Sequence, residues 1–187
     1  MTIKTFAALE YMTAPNYNTY CQNNGLKWLD TQTTTTATFL RSDVFTSEHF
    51  NYRIVISNWK PSVTENLNLR LRTSSGTYSG SVYSWNYLGI LWASGAQTTG
   101  FATGASFVQI CSGVATRNHA ATIELQCKPG ASEKVTMQTQ TVDSVNSCNR
   151  NGGGLLNNAA DYTGIEIFTN GTTAMNCTMT VYGYRKQ

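Results

Sequence analysis

Two stretches with a strict period of two constrain this chain more than any other feature of its sequence. In Phe50 to Ser57, the residues Phe50, Tyr52, Ile54 and Ile56 fall on one face of an extended backbone. In Leu67 to Thr73, Leu67, Leu69 and Leu71 share a face, with Asn68, Arg70 and Arg72 opposite. Successive side chains of a strand point to opposite faces, so both stretches read as strands half-buried against a core. A loop from Asn58 to Asn66, containing Pro61, joins them. The pair is expected at the centre of a β-sandwich. Arg53, Arg70 and Arg72 take outward positions, suited to cross-strand or inter-subunit pairing rather than to catalysis.

The rest of the chain follows the same grammar. Short strands are predicted at Leu26 to Asp30, Ser106 to Cys111, Ala121 to Cys127 and Val135 to Thr139, with Thr38 to Leu40 and Asp43 to Phe45 as extended pieces leading into the opening pair. Tyr162 to Phe168 and Met175 to Tyr182 read as a closing hairpin around the turn signal Asn170-Gly171. Gly95 to Gly104 and Asn149 to Asn158, the latter holding Gly152-Gly153-Gly154, are expected to be loops. That gives about eight or nine strands and no sustained helix, hence an all-β antiparallel sandwich or jelly roll. Composition agrees: charged residues are 12% of the chain, and Thr, Asn, Ser, Gly and Tyr suit pleated surfaces and turns better than helices. At 187 residues the chain is expected to form one domain over residues 25–187. An irregular arm, Met1 to Asn24, precedes it, lying along a neighbouring subunit or covering the sandwich edge.

Several function classes fit poorly. The net charge is +3, with Lys and Arg scattered, whereas nucleic-acid binding draws on a clustered basic face. No apolar run approaches the roughly 20 residues that span a bilayer. No signal-peptide pattern opens the chain, so a soluble protein made in a cytoplasm is expected. Asn170-Gly-Thr172 and Asn176-Cys-Thr178 match the glycosylation acceptor pattern, which without a secretory route is coincidence. Cys21, Cys111, Cys127, Cys148 and Cys177 are widely spaced, without a CxxC or a Cys/His cluster. Reduced, buried thiols are expected, with neither zinc nor a disulfide framework.

The chemistry-bearing residues form no recognisable site. His49 and His119 are the two ordinary imidazole bases, one before a strand and one in a turn-like stretch. In Gly76-Thr-Tyr-Ser-Gly80 the serine stands one place too late for a nucleophile elbow. Sequence spacing leaves open a carboxylate pair brought together by folding, such as Asp43 with Glu48, but nothing singles any acid out as one of the facing carboxylates of a glycosidase. Gly152 to Gly154 lacks the Lys-Ser/Thr of a phosphate loop. No catalytic residue, metal ligand or cofactor is assigned. The functional option lies in Tyr78, Tyr83, Trp85, Tyr87 and Trp92, the densest aromatic stretch. Three roles remain open for it: core, subunit interface, or a platform stacking on the sugar rings of a glycan.

One further pattern extends across the chain. Phe45, then His49 to Asn58, Lys60-Pro61-Ser62, Leu67 to Thr73 and Gly76 resemble a β-sandwich domain that recurs in virion proteins of tailed bacteriophages. There a Tyr-rich strand, a proline loop and a Leu-x-Leu-Arg strand lead to a Ser/Gly turn and a Tyr, which here is Tyr78 or Tyr83. Tyr162 to Phe168, Asn170-Gly171 and Val181-Tyr182-Gly183-Tyr184 resemble the closing strands of the same domains, with Tyr184 and Arg185-Lys186 a mild departure. The resemblance spans Thr33 to Gln187. It implies a non-enzymatic structural protein of the virion, self-associated as a homo-oligomer, often a trimer, and in contact with other virion proteins such as the major capsid protein. A capsid decoration (cement) protein is the expected place, because no attachment domain or repetitive shaft is visible. A tail or tail-fibre tip touching host-surface glycans is the alternative, and a polysaccharide-degrading enzyme a more distant one.

Overall fold

The computed structural model describes residues 25–129, 133–171 and 174–185. The expected arm, Met1 to Asn24, and Cys21 lie outside the described residues. Those residues form an all-β sandwich with no helix. The strands are β1 (Leu26–Thr34), β2 (Thr38–Arg41), β3 (His49–Pro61), β4 (Glu65–Thr73), β5 (Gly76–Thr77), β6 (Tyr83–Leu91), β7 (Gln97–Ala105), β8 (Val108–Gly113), β9 (His119–Gln126), β10 (Val135–Asp143), β11 (Cys148–Leu156), β12 (Tyr162–Thr169) and β13 (Met175–Arg185). The larger sheet has the order β1-β13-β3-β9-β10-β11-β6-β7. The smaller has the order β2-β12-β4-β5, with β8 also paired to β4. All the pairings are antiparallel.

The two alternating stretches are β3 and β4, and each lies inside a different sheet. Tyr52, Ile54 and Ile56 from one and Leu67, Leu69 and Leu71 from the other are fully buried in one core. The connection is shorter than expected, since β3 runs on to Pro61 and β4 begins at Glu65. The extension carries Trp59 into the core, although its distance from Ile56 breaks the period of two. A bulge explains this. Ser57 and Lys60 of β3 span what Thr178 and Asn176 span on β13, so β3 holds one extra residue there, and Asn58 takes a left-handed φ of 53°. A second bulge, between His49 and Tyr52, turns His49 inward and Phe50 outward. Phe50 is therefore exposed, against expectation, with the Lys128 ammonium 5.2 Å from its ring centroid.

The outward arginines pair across strands. Arg53 Nε donates to Glu124 on β9, Arg70 faces Glu166 on β12, and Arg72 donates to Thr77 on β5. Asn68, expected outside, is buried. At the edge of the larger sheet, Thr31 and Thr33 hydrogen-bond the hydroxyls of Thr180 and Thr178. Arg41 of β2 donates to Asp30 of β1, clasping one sheet to the other.

Three expectations about elements need correction. The closing strands are not a hairpin: β12 pairs with β2 and β4 in one sheet, while β13 pairs with β1 and β3 in the other. Asn170-Gly171 sits on a link that changes sheets. Residues 97–105 and 148–156, read as loops, are full strands. Asp43 to Phe45 is not a strand, although Val44 and Phe45 are core residues. The strand count accordingly rises to thirteen among the described residues.

Candidate functional site

The aromatic stretch runs through β5, the following turn and β6, and alternation sends its side chains to different places. Tyr83 is fully buried. Its hydroxyl accepts the Leu71 N–H at 3.0 Å and donates to the Tyr78 carbonyl at 2.8 Å, tying β6 to the opposite sheet. Burial raises its pKa above the ordinary phenol value. Tyr78 packs edge-on against Tyr162, with ring centroids 6.0 Å apart. Trp85 and Tyr87, two residues apart on one face, stack nearly parallel at 6.4 Å. Trp92 stands apart beyond the end of β6 and is 53% exposed.

Tyr87 is fixed from several sides. Its cross-strand neighbours are Gly100 on β7 and Gly152 on β11. A Cβ at Gly100 would lie 2.3 Å from the Tyr87 ring, so glycine is required there to admit it. The guanidinium of Arg150 lies 3.4 Å from the Tyr87 centroid, a close cation–π contact. Arg150 is in turn paired with Asp143 at 3.0 Å, and both are almost wholly buried. The five aromatics thus do not form one exposed platform: Tyr78 and Tyr83 pack with the core, Trp85 and Tyr87 make a half-buried stack, and Trp92 is alone.

The other face of the same strands is open. A cleft of about 1140 Å³ lies over β10, β11, β6 and β7, and its exposed lining includes Asn86, Leu88, Phe101, Gln138, Gln140 and Asn151. Gly153 lies between Gln138 and Asn86, its cross-strand neighbours. Phe101, opposite Asn86, is 78% exposed. Among the described residues, no Asp, Glu, Lys, Arg or His lines this cleft. A smaller hollow of about 410 Å³ adjoins it through Met137 and Gln138, and includes Glu124 and Tyr184. The Tyr184 hydroxyl donates to Glu124 at 2.9 Å, on the carboxylate that also holds Arg53.

Other reactive groups are committed to structure. His49 is buried, its Nδ1 2.9 Å from the Tyr184 carbonyl. His119 packs at a tilt against Trp59, ring centroids 5.1 Å apart, and its Nε2 sits 3.2 Å from the Val114 carbonyl. Cys111, Cys127, Cys148 and Cys177 are free and buried. Burial pushes the thiols of Cys111, Cys127 and Cys177 up to about 12, which leaves negligible thiolate at neutral pH. Asp43 and Glu48 are exposed. Among the described residues, no group of three or more His, Cys, Asp or Glu is placed to hold a metal.

The cleft is not legible in the sequence, because two of its four strands, β7 and β11, read as loops. A signal was present. Gln97, Thr99, Phe101 and Thr103 alternate with Thr98, Gly100 and Ala102, a period of two written in small residues. No family model matches the chain, and no curated protein matches it in sequence.

Proposed function

We propose that this chain is a non-enzymatic structural component of a tailed-phage virion, and within the particle a capsid decoration protein. The resemblance set out above supports the virion reading, and most of the residues that carry it lie on β3, β4, β12 and β13. One observation favours a role in assembly. Among the described residues β7 is a nine-residue edge strand; it carries a bulge between Ala102 and Ala105 but no charged residue and no proline, two of the devices by which edge strands avoid pairing with another chain. In a decoration protein such an edge serves contact with another copy or with the capsid surface. Binding to the assembled shell and not to its dissociated subunits stabilises the shell by mass action.

The test compares particles made with and without the protein. Heating in the presence of a dye that reports released DNA is expected to open the deficient particles at lower temperature, and adding purified protein is expected to restore the difference. Identical opening temperatures would overturn the decoration reading.

A further inference from the structure

Gly153 leaves the outer face of β11 bare at the middle of the cleft. Its strand neighbours are glycines for packing reasons. A Cβ at Gly152 would lie 2.7 Å from the Asn86 carbonyl oxygen, and one at Gly154 would lie 3.0 Å from Val108 and Met137 side-chain carbons. Gly153 alternates to the outer face. A Cβ there would crowd the Met137 carbonyl oxygen at 3.2 Å, so the neighbouring strand also favours glycine, but on the solvent side it meets only the end of Asn86 at 3.9 Å. Its φ is not in the left-handed region. A glycine inside a strand leaves the sheet surface without a side chain, so another molecule can approach the floor here closely.

The surroundings of Gly153 restrict what that molecule is. Asn86, Gln138, Gln140 and Asn151 present amides, each with two donors and an acceptor oxygen. Phe101 stands as an exposed wall beyond Asn86. A polyanion would need the cationic contacts this lining lacks. An extended peptide adds at a sheet edge, whereas the backbone groups of the floor are already engaged on both sides in the β10–β11 and β11–β6 ladders. A neutral chain rich in hydroxyls, with apolar ring faces, matches amides over a bare floor beside an aromatic wall.

We propose that the groove over Gly153 binds a neutral glycan, with the four amides hydrogen-bonding its hydroxyls and Phe101 stacking on a sugar ring. Crossing β10, β11, β6 and β7 covers three strand spacings, about 14 Å, enough for a short oligosaccharide. This site lies on the opposite face from Trp85 and Tyr87. It does not depend on the capsid reading: loss of the particle-stability effect with glycan binding intact would sink that reading alone.

The test uses the full chain on an array of immobilised neutral and anionic microbial glycans. Wild type is expected to bind neutral glycans, with competition by the same glycan in solution. Gly153→Leu fills the floor and is expected to weaken binding about tenfold or more. Phe101→Ala, at the rim and clear of the ladder, is expected to weaken it while leaving the circular dichroism spectrum and melting temperature unchanged. No binding to any neutral glycan, a preference for anionic glycans, or undiminished binding by both variants would overturn the proposal. So would a glycan-blind wild type whose self-association, read by light scattering, is broken by Gly153→Leu, which would make the groove a contact between copies.

Discussion

Arg150 lies on the Tyr87 ring with its Nη1 3.0 Å from Asp143 Oδ2, while Asp143 also accepts the Val145 and Asn146 N–H groups at 3.0 Å each. One carboxylate therefore shapes the β10–β11 turn and neutralises a buried guanidinium. Removing one partner strands a charge in a low-dielectric interior, so Arg150→Met is expected to cost about 3–5 kcal/mol in urea denaturation. The double variant Asp143→Asn/Arg150→Met should recover part of that loss, because no unpaired charge remains. A single variant as stable as wild type would show that the pair is not buried as described. Leu69, fully buried in β4, tests the core in the same way. Leu69→Asp places a carboxylate where nothing solvates it, and is expected to abolish the cooperative unfolding transition.

At the scale of elements, β3 holds the structure's main irregularities. Its bulge at Asn58 is what turns Trp59 into the core, where the ring meets His119. Trp59→Ala is expected to cost about 3–5 kcal/mol, the range for large aromatic truncation in a core. Asn58→Val forces a β-branched side chain into left-handed backbone and is expected to cost about 1–2 kcal/mol, while Asn58→Gly should be close to neutral. Thermal melts of the three variants check that order. Neither bulge was legible in the sequence, because a bulge is fixed by the partner strand, and no local pattern announces which residue of β3 goes unpaired. The alternation on β9, β10 and β13 was legible, because each has one face on the core and the other outward, and β4 follows it except at the buried Asn68. β11 was not. Glycine suppresses the contrast on which periodicity depends, yet Gly152 and Gly154 are strand residues held by Thr139, Tyr87, Met137 and Val108 around them. The link through Asn170-Gly171 carried a true turn signal, but a local signal cannot tell a hairpin from a passage between sheets. The cleft was lost for the same reasons, since its floor is β11 and its wall β7.

The whole molecule sets a continuous apolar core, running from Phe39 to Val181, between sheets of unequal width. Three thiols within that core give it a specific response to alkali. Cys111, Cys127 and Cys177 titrate near 9 when unfolded and at about 12 in the fold. Below pH 9 both states keep the proton and stability is unaffected by these groups. Above it the unfolded chain loses protons that the fold retains, so stability falls as pH rises from 9 towards 12, each thiol contributing up to about 1.4 kcal/mol per pH unit. Denaturation in reducing buffer should show this slope, and Cys177→Ala should lessen it. A flat profile across that interval would mean that the thiols are not buried. The same whole-molecule view bears on function, because an eight-stranded sheet ending in the uncharged edge β7 suits an assembled particle. The measurement that bears most directly on the central claim is the copy number of this protein in purified virions, by quantitative mass spectrometry against labelled peptides. Copies in proportion to the capsid lattice are expected. Absence from the particle would contradict that claim, and so would the low stoichiometry of a tail component.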